Sequence, residues 1–343
     1  MKATVMLNHA AIAGTLALLT CHRQINAFAP QPQQSIPRRP ASSTKLFATI
    51  QPSESTTIGT VGSGYLPILL AKLAAHRNHG KSWIICPAAD MDTMRQLSSN
   101  GFGDSPSNLE LVPASDTDRV EELLATTDAM LLSTDDVDSV IDPSILDYLL
   151  DPDKCQQMKR VVAMSRNLNG SGMGFLVSAS KKAANAQVWD NSNRASYAAY
   201  ETNVQRAVEA VGADWTIVRA GTLKGGAGGE GNVYPQYLDN SFYELTKNDI
   251  ITWQLLFDCN VRGVTLARGD VQSGPGVRAV FTATDGDGAN DGDSGRCGVA
   301  EAMVRSLEVE ETANVDFGVG TAQAREVPSE EEWESMFREV CLK

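Results

Sequence analysis

From Thr56 onward, short runs of β-branched and apolar residues alternate with stretches of helical period. "TTIGTV" and "SWIIC" predict two strands. Between them, "LPILLAKLAAHR" carries Leu66, Leu69, Leu70 and Leu73 at helical spacing and predicts an amphipathic helix. "LELV", the helix "DTDRVEELLATT" and the strand "AMLLS" continue the rhythm, and "PSILDYLL" with "DKCQQMK" predicts helical turns before the strand "RVVAMS". Residues 166–192 break the pattern and read as an insertion or a long loop. A helix over 195–211 then feeds the strand "DWTIVR". Such β/α repeats predict an α/β fold built on a doubly wound parallel sheet, because parallel strands require crossover connections. After Gly221 come the glycine-rich "LKGGAGGEGN", two strand-like runs ("RGVTLA", "RAVFTAT"), the acidic "DGDGANDGDSG" and the helix "RCGVAEAMVRSLE". A strand near "ANVDFGVG" and an amphipathic helix "SEEEWESMFREVC" follow, and the stretch from about 223 reads as a small C-terminal lobe.

The first 53 residues differ in kind: they hold five basic residues and no acid before Glu54. Lys2, an apolar run from Ala10 to Leu19 and the small residue Ala27 read as a secretory signal over 1–27, too short for a stable membrane span. Residues 28–53, basic and rich in Ser and Pro, read as a transit segment, so the body is expected from residue 54. Joined at "NAFAP", with Phe28 after the cut, the pair resembles the bipartite presequence of algae with plastids of secondary origin. Plain secretion with a linker remains the alternative. The plastid reading implies residence in the stroma.

Charge and residue counts narrow the chemistry. The formal net charge is −13, and without the basic leader it is more negative still. Such a surface repels phosphate backbones, so no nucleic-acid partner is expected. Beyond the leader only His76 and His79 remain, which disfavours a His-based triad or a His-ligated metal. Cys86, Cys155, Cys259, Cys297 and Cys341 are widely spaced with no CxxC pair, as expected of buried thiols in a reducing compartment.

The leading candidate for chemistry is "VGSGYLPILLAKLA". Gly62, Gly64 and Pro67 fit G-x-G-x-x-G with Pro in the third place, and Gly59 offers a second register ending at Tyr65. A glycine turn between strand and helix lets backbone approach a pyrophosphate, which the helix N-terminus then receives. Gly59, Gly62, Ser63, Gly64, Tyr65 and Leu66 are therefore candidate contacts of a dinucleotide. A side chain at Gly64 is expected to block that ligand while leaving the fold intact. An acid ending the second strand would select NAD; Asp90 comes late and could cap the next helix, and Arg95 could face a 2′-phosphate, so NAD and NADP both stand. The acidic loop fails the EF-hand spacing at Arg296.

With the glycine turn, Ser115-Asp116, "RVVAMS", "VGADWTIVRAGTL" and "GRCGVAEAMVRSL", the body resembles the atypical short-chain dehydrogenase/reductases, in particular the NmrA-like and chloroplast NAD(P)-binding Rossmann proteins. The resemblance implies cofactor contact at Asp116, Ser133, Ala220 and Gly221, and a catalytic pair of places at Ser165 and Tyr197. Family chemistry uses Tyr-x-x-x-Lys, where the Lys lowers the phenol's pKa. Here Glu201 stands at the Lys position, and Lys181 or Lys182 would have to substitute from elsewhere. Two readings follow: a nucleotide-binding scaffold, sensor or photosystem-assembly factor with plastid protein partners, or an oxidoreductase on a small carbonyl or unsaturated substrate. A fluorescent fusion of residues 1–54 is expected to reach the plastid, and Phe28→Ala to stall it outside. Export to the medium would sink the plastid reading.

Overall fold

Alternate residues of the central strands enter opposite cores. In one strand Ala129 and Leu131 pack on one face and Met130 and Leu132 on the other; in its neighbour Val162 and Met164 oppose Val161 and Ala163. This period of two, apolar on both faces, requires a sheet covered by helices on both sides. The computed structural model describes residues 49–341 except 52, 79, 100–105, 138, 171–172, 174, 227–260, 272–291, 323 and 325. The "RAVFTAT" run, Cys259, His79 and most of the acidic loop fall outside the described residues.

The strands are β1 (Thr57–Ser63), β2 (Lys81–Cys86), β3 (Leu109–Pro113), β4 (Ala129–Thr134), β5 (Arg160–Ser165), β6 (Asp214–Ala220), β7 (Thr222–Lys224), β8 (Gly263–Arg268), β9 (Asp293–Gly295) and β10 (Val315–Ala322). Eight of them form one sheet in the order β3-β2-β1-β4-β5-β6-β10-β8, while β7 and β9 pair separately. All neighbours in the large sheet run parallel except the edge pair β10–β8. The helices are α1 (Leu66–Asn78), α2 (Met91–Ser98), α3 (Thr117–Thr126), α4 (Pro143–Leu149), α5 (Phe175–Ala184), α6 (Ala186–Trp189), α7 (Arg194–Val211), α8 (Arg296–Arg305) and α9 (Glu330–Cys341). Residues of α1, α8 and α9 share one core with the sheet; those of α3, α4 and α7 share the other. The chain is an α/β protein with a doubly wound, mostly parallel sheet.

Four expectations change. First, α1 is not amphipathic: Leu66 and every residue from Ile68 to Ala75 are buried, because α8 covers the side that would face water. Even Lys72 is enclosed, its Nζ donating to Ser99 O at 2.8 Å, where the C-terminal end of α2 favours a cation. Second, described elements of the C-terminal stretch join the main sheet. β10 pairs with β6 in the main sheet, and Phe317, Trp333 and Phe337 enter the same core as Leu69. Third, residues 166–192 are not an open loop. They form α5 and α6, and Leu168, Met173, Val177, Val188 and Trp189 gather with Val271 in a third apolar cluster. Fourth, the folded unit begins before residue 54: Ile50 is buried in the core and its amide donates to Leu307 O at 2.8 Å. "DKCQQMK" forms turns, not helix. Among the described residues no helix is long and apolar enough to cross a membrane.

Cys86, Cys155 and Cys341 are free thiols. Burial pushes the thiol of Cys86 up to about 12 and those of Cys155 and Cys341 up to about 11. Since the thiolate is the nucleophile, iodoacetamide at pH 8 should leave these three unmodified in the native protein and label them after unfolding. Peptide mapping that finds any of them alkylated without denaturant would contradict this packing.

Candidate functional site

In a doubly wound sheet the strand order reverses at one place, and there the crossover helices diverge and leave a crevice at the C-terminal strand ends. Here that place lies between β1 and β4. Gly62 pairs with Ser133 and Ser63 with Thr134, so the glycine turn and the end of β4 emerge side by side. A Cβ at Gly62 would come within 1.6 Å of Ser133 O, so only glycine permits this approach. Gly64 has φ +86°, a backbone state that favours glycine, and leads into the first turn of α1. Gly62, Gly64 and Tyr65 are half-buried; Ser63, Leu66 and Ser133 are buried. Among the described residues the hydroxyls of Ser63 and Ser133 have no hydrogen-bond partner.

A carboxylate already sits over this turn. Asp135, directly after β4, accepts the Tyr65 amide on Oδ2 at 3.1 Å. Arg296 Nε lies 3.0 Å from its Oδ1 and 3.2 Å from its Oδ2. A Cβ at Gly64 would meet Asp135 Cβ at 2.2 Å. The expectation that a bulky residue at 64 would spare the fold is therefore corrected: it would strain the backbone and displace residue 135. Arg166 Nη2 donates to Asp135 O at 2.7 Å, and burial lowers the pKa of this guanidinium. The donors at the turn are those an anion needs, and the chain's own anion takes them.

The remaining sequence candidates separate. Gly59 lies inside β1, where a Cβ would meet Trp83 Cζ2 at 2.4 Å; it makes room for a buried indole. Asp116 caps α3, accepting the Arg119 amide at 3.2 Å, and is exposed at the end of β3. Asp90 stands before α2 without a capping hydrogen bond, and Arg95 pairs with Asp92 at 2.7 Å. Ala220 is a core residue of β6. Gly221 is closed over by Gly292, whose carbonyl would lie 2.0 Å from a Cβ there, and by Trp189. Ser165 Oγ, buried at the end of β5, accepts the Asn167 amide at 3.1 Å.

The phenol of Tyr197 is buried and donates to Val137 O. Glu201, one turn further along α7, forms a two-pronged pair with Arg219 at the end of β6: Nε to Oε1 and Nη2 to Oε2, each 2.9 Å. Asn167 Nδ2 adds a bond to Glu201 Oε2 at 3.1 Å, and Arg219 reaches on to Asp316 of β10. Burial alone would lower the Arg219 pKa, but its bonds and charge pairing with Glu201 and Asp316 more than offset this and raise it. The neighbouring Tyr200 phenol is raised, by burial first and by Glu201 second. Lys181 is engaged with buried Asp293. Among the described residues no group of His, Cys, Asp and Glu could hold a metal. Sequence reading missed Asp135, Arg166 and Arg296; the one signal was "TDDVD" directly after an apolar strand, and it pointed to Asp135 alone.

No family model and no curated protein matches the sequence. Solved structures to which the chain is similar include a wide-type short-chain dehydrogenase/reductase from Veillonella parvula in complex with NADP, at 12% identity and TM-score 0.44, over 80% of this chain and 99% of that one. An oxidoreductase from Lactococcus lactis is similar at 11% and 0.43, over 82% and 97%. The terminal R domain from the myxalamid biosynthetic pathway is similar at 12% and 0.44, over 82% and 70%. These superpositions are weak, and the fold rests on the strand order and register given above.

Replacing Glu201 tests the pair. Glu201→Gln leaves Arg219 with half of its charge partners in a buried setting and should cost about 3 kcal/mol in urea unfolding. Glu201→Lys sets two cations together and should cost more. A Lys variant as stable as the parent would show that the pair does not hold α7 to β6.

Proposed function

We propose that the protein binds NADP or NAD at the switch point of its sheet and acts as a nucleotide-dependent scaffold or sensor, not through the proton relay of short-chain reductases. The observation that carries this reading is the exchange at residue 201. A relay needs a cation beside a phenol whose hydroxyl is available to substrate. Here the position holds a carboxylate committed to Arg219, and the Tyr197 hydroxyl is committed to Val137 O. Dinucleotide binding is supported by the strand–glycine turn–helix at 57–78, by the donors gathered at Tyr65 and Arg296, and by the unpartnered Ser63 and Ser133 hydroxyls. In this proposal the turn from Gly62 to Tyr65 and Arg296 would hold the pyrophosphate. Asp116 lies at the end of β3, on the adenosine side of the switch point. The acid-free leader supports service in the plastid stroma, with protein partners there.

The test is turnover against binding. The full protein should quench or enhance NADPH fluorescence with saturation, yet show no hydride transfer across a panel of carbonyl substrates. Tyr197→Phe should change any residual rate by less than about tenfold, whereas a positioned acid–base group contributes on the order of 10²–10⁴. A hundredfold loss with nucleotide affinity intact would make the protein a reductase and overturn the scaffold reading.

A further inference from the structure

The anion over the glycine turn is part of the chain. Asp135 has a side chain only 7% exposed, lying between the Tyr65 amide at the start of α1 and the Arg296 guanidinium at the start of α8. Its backbone is tied down independently: its amide donates to Ser63 O at 2.9 Å, and its carbonyl accepts from Arg166 at 2.7 Å. The carboxylate can therefore swing away by side-chain rotation while both backbone bonds persist. The Arg296 guanidinium pairs with this carboxylate and also donates to Gly225 O at 2.7 Å, while Arg166 holds the carbonyl of the same residue. Among the described residues the Ser63 and Ser133 hydroxyls, at the ends of β1 and β4, and the Nε of Arg166 are buried without a hydrogen-bond partner. One carboxylate leaves this set of donors under-used; a diphosphate has the charge and the oxygens to use it.

We infer that Asp135 is an internal latch occupying the place of a ligand's phosphates, and that a diphosphate-bearing ligand binds by displacing it and taking over Arg296 and the Tyr65 amide. The inference rests on the nucleotide reading for the identity of its ligand, but its chemistry is that of any diphosphate. Two anions cannot share these donors, because like charges at contact distance disfavour each other. Closed and open states then compete, and the apparent affinity falls by the fraction of molecules that are open. A latch of this kind makes occupancy respond to whatever shifts Asp135 or Arg296, which suits a sensor.

Titration calorimetry on the full protein tests this with two probes, NADPH and inorganic pyrophosphate. Asp135→Asn keeps the shape and an acceptor for the Tyr65 amide but removes the charge, and should bind both probes about tenfold more tightly than the parent, or better. Adding Arg296→Met should reverse that gain. Unchanged or weaker binding of both probes to Asp135→Asn overturns the latch. NADPH bound equally by parent and variant sinks the latch and leaves the nucleotide reading standing. A gain for pyrophosphate with no NADPH binding keeps the latch and sinks the nucleotide reading; no binding of either probe by any form sinks both. If thermal melting shows Asp135→Asn to be misfolded, the parent itself decides. Its Tyr65 amide resonance should shift saturably as pyrophosphate is added, and an unmoved resonance overturns the inference.

Discussion

The enclosure of α1 is the constraint from which the rest follows. A helix apolar on all sides must be covered on all sides, so the sheet takes one flank and α8 the other. That demand makes the C-terminal third integral to the first crossover. It also fixes where α1 begins, at the switch point between β1 and β4, with its first turn opening onto the strand ends. Arg305 at the end of α8 reinforces the arrangement, reaching Glu301 at 2.7 Å and Glu330 of α9 at 2.5 Å and lying over the Trp333 ring. Arg77 of α1 reaches Glu308 at 2.8 Å. Because α8 must lie against α1, its first residue, Arg296, arrives beside the glycine turn. The packing requirement and the charge at the site are thus one arrangement.

The alternation of strand and helix was legible because parallel strands buried on both faces read as continuous apolar runs. The order of elements, the glycine turn and the exchanged residue at 201 came from that text. What sequence could not give were relations between distant segments. Gly59 resembles a phosphate-turn glycine by spacing, but a tryptophan 24 positions on in the neighbouring strand claims its space. Arg219 was visible only as the end of a strand; its tie to Glu201 on the preceding helix and to Asp316 on β10 needs the sheet to be assembled. The helical period of 166–192 was masked by glycines and serines at its start, and only the third apolar cluster reveals what those helices cover.

At the site the difficulty was of another kind. Asp135 follows its strand as many loop acids do, and nothing local distinguishes it from the adjacent Asp136. Its meaning comes from what approaches it: a helix terminus from 70 residues before and a guanidinium from 161 residues after. Dinucleotide folds use such a turn to receive a ligand's charge. In this chain the turn's amide and the nearby guanidinium are met by the chain's own Asp135.

The amide of Ile50, tied to Leu307 O while its side chain fills the core, also sets a limit on proteolysis. Peptidases bind their substrates as extended, unpaired backbone, and a residue already bonded and packed cannot be drawn into such a cleft without local unfolding. Exopeptidase digestion that approaches from the N-terminal side would therefore slow at Ile50. The end left by such digestion would be dictated by the fold and not by the place of the first cut.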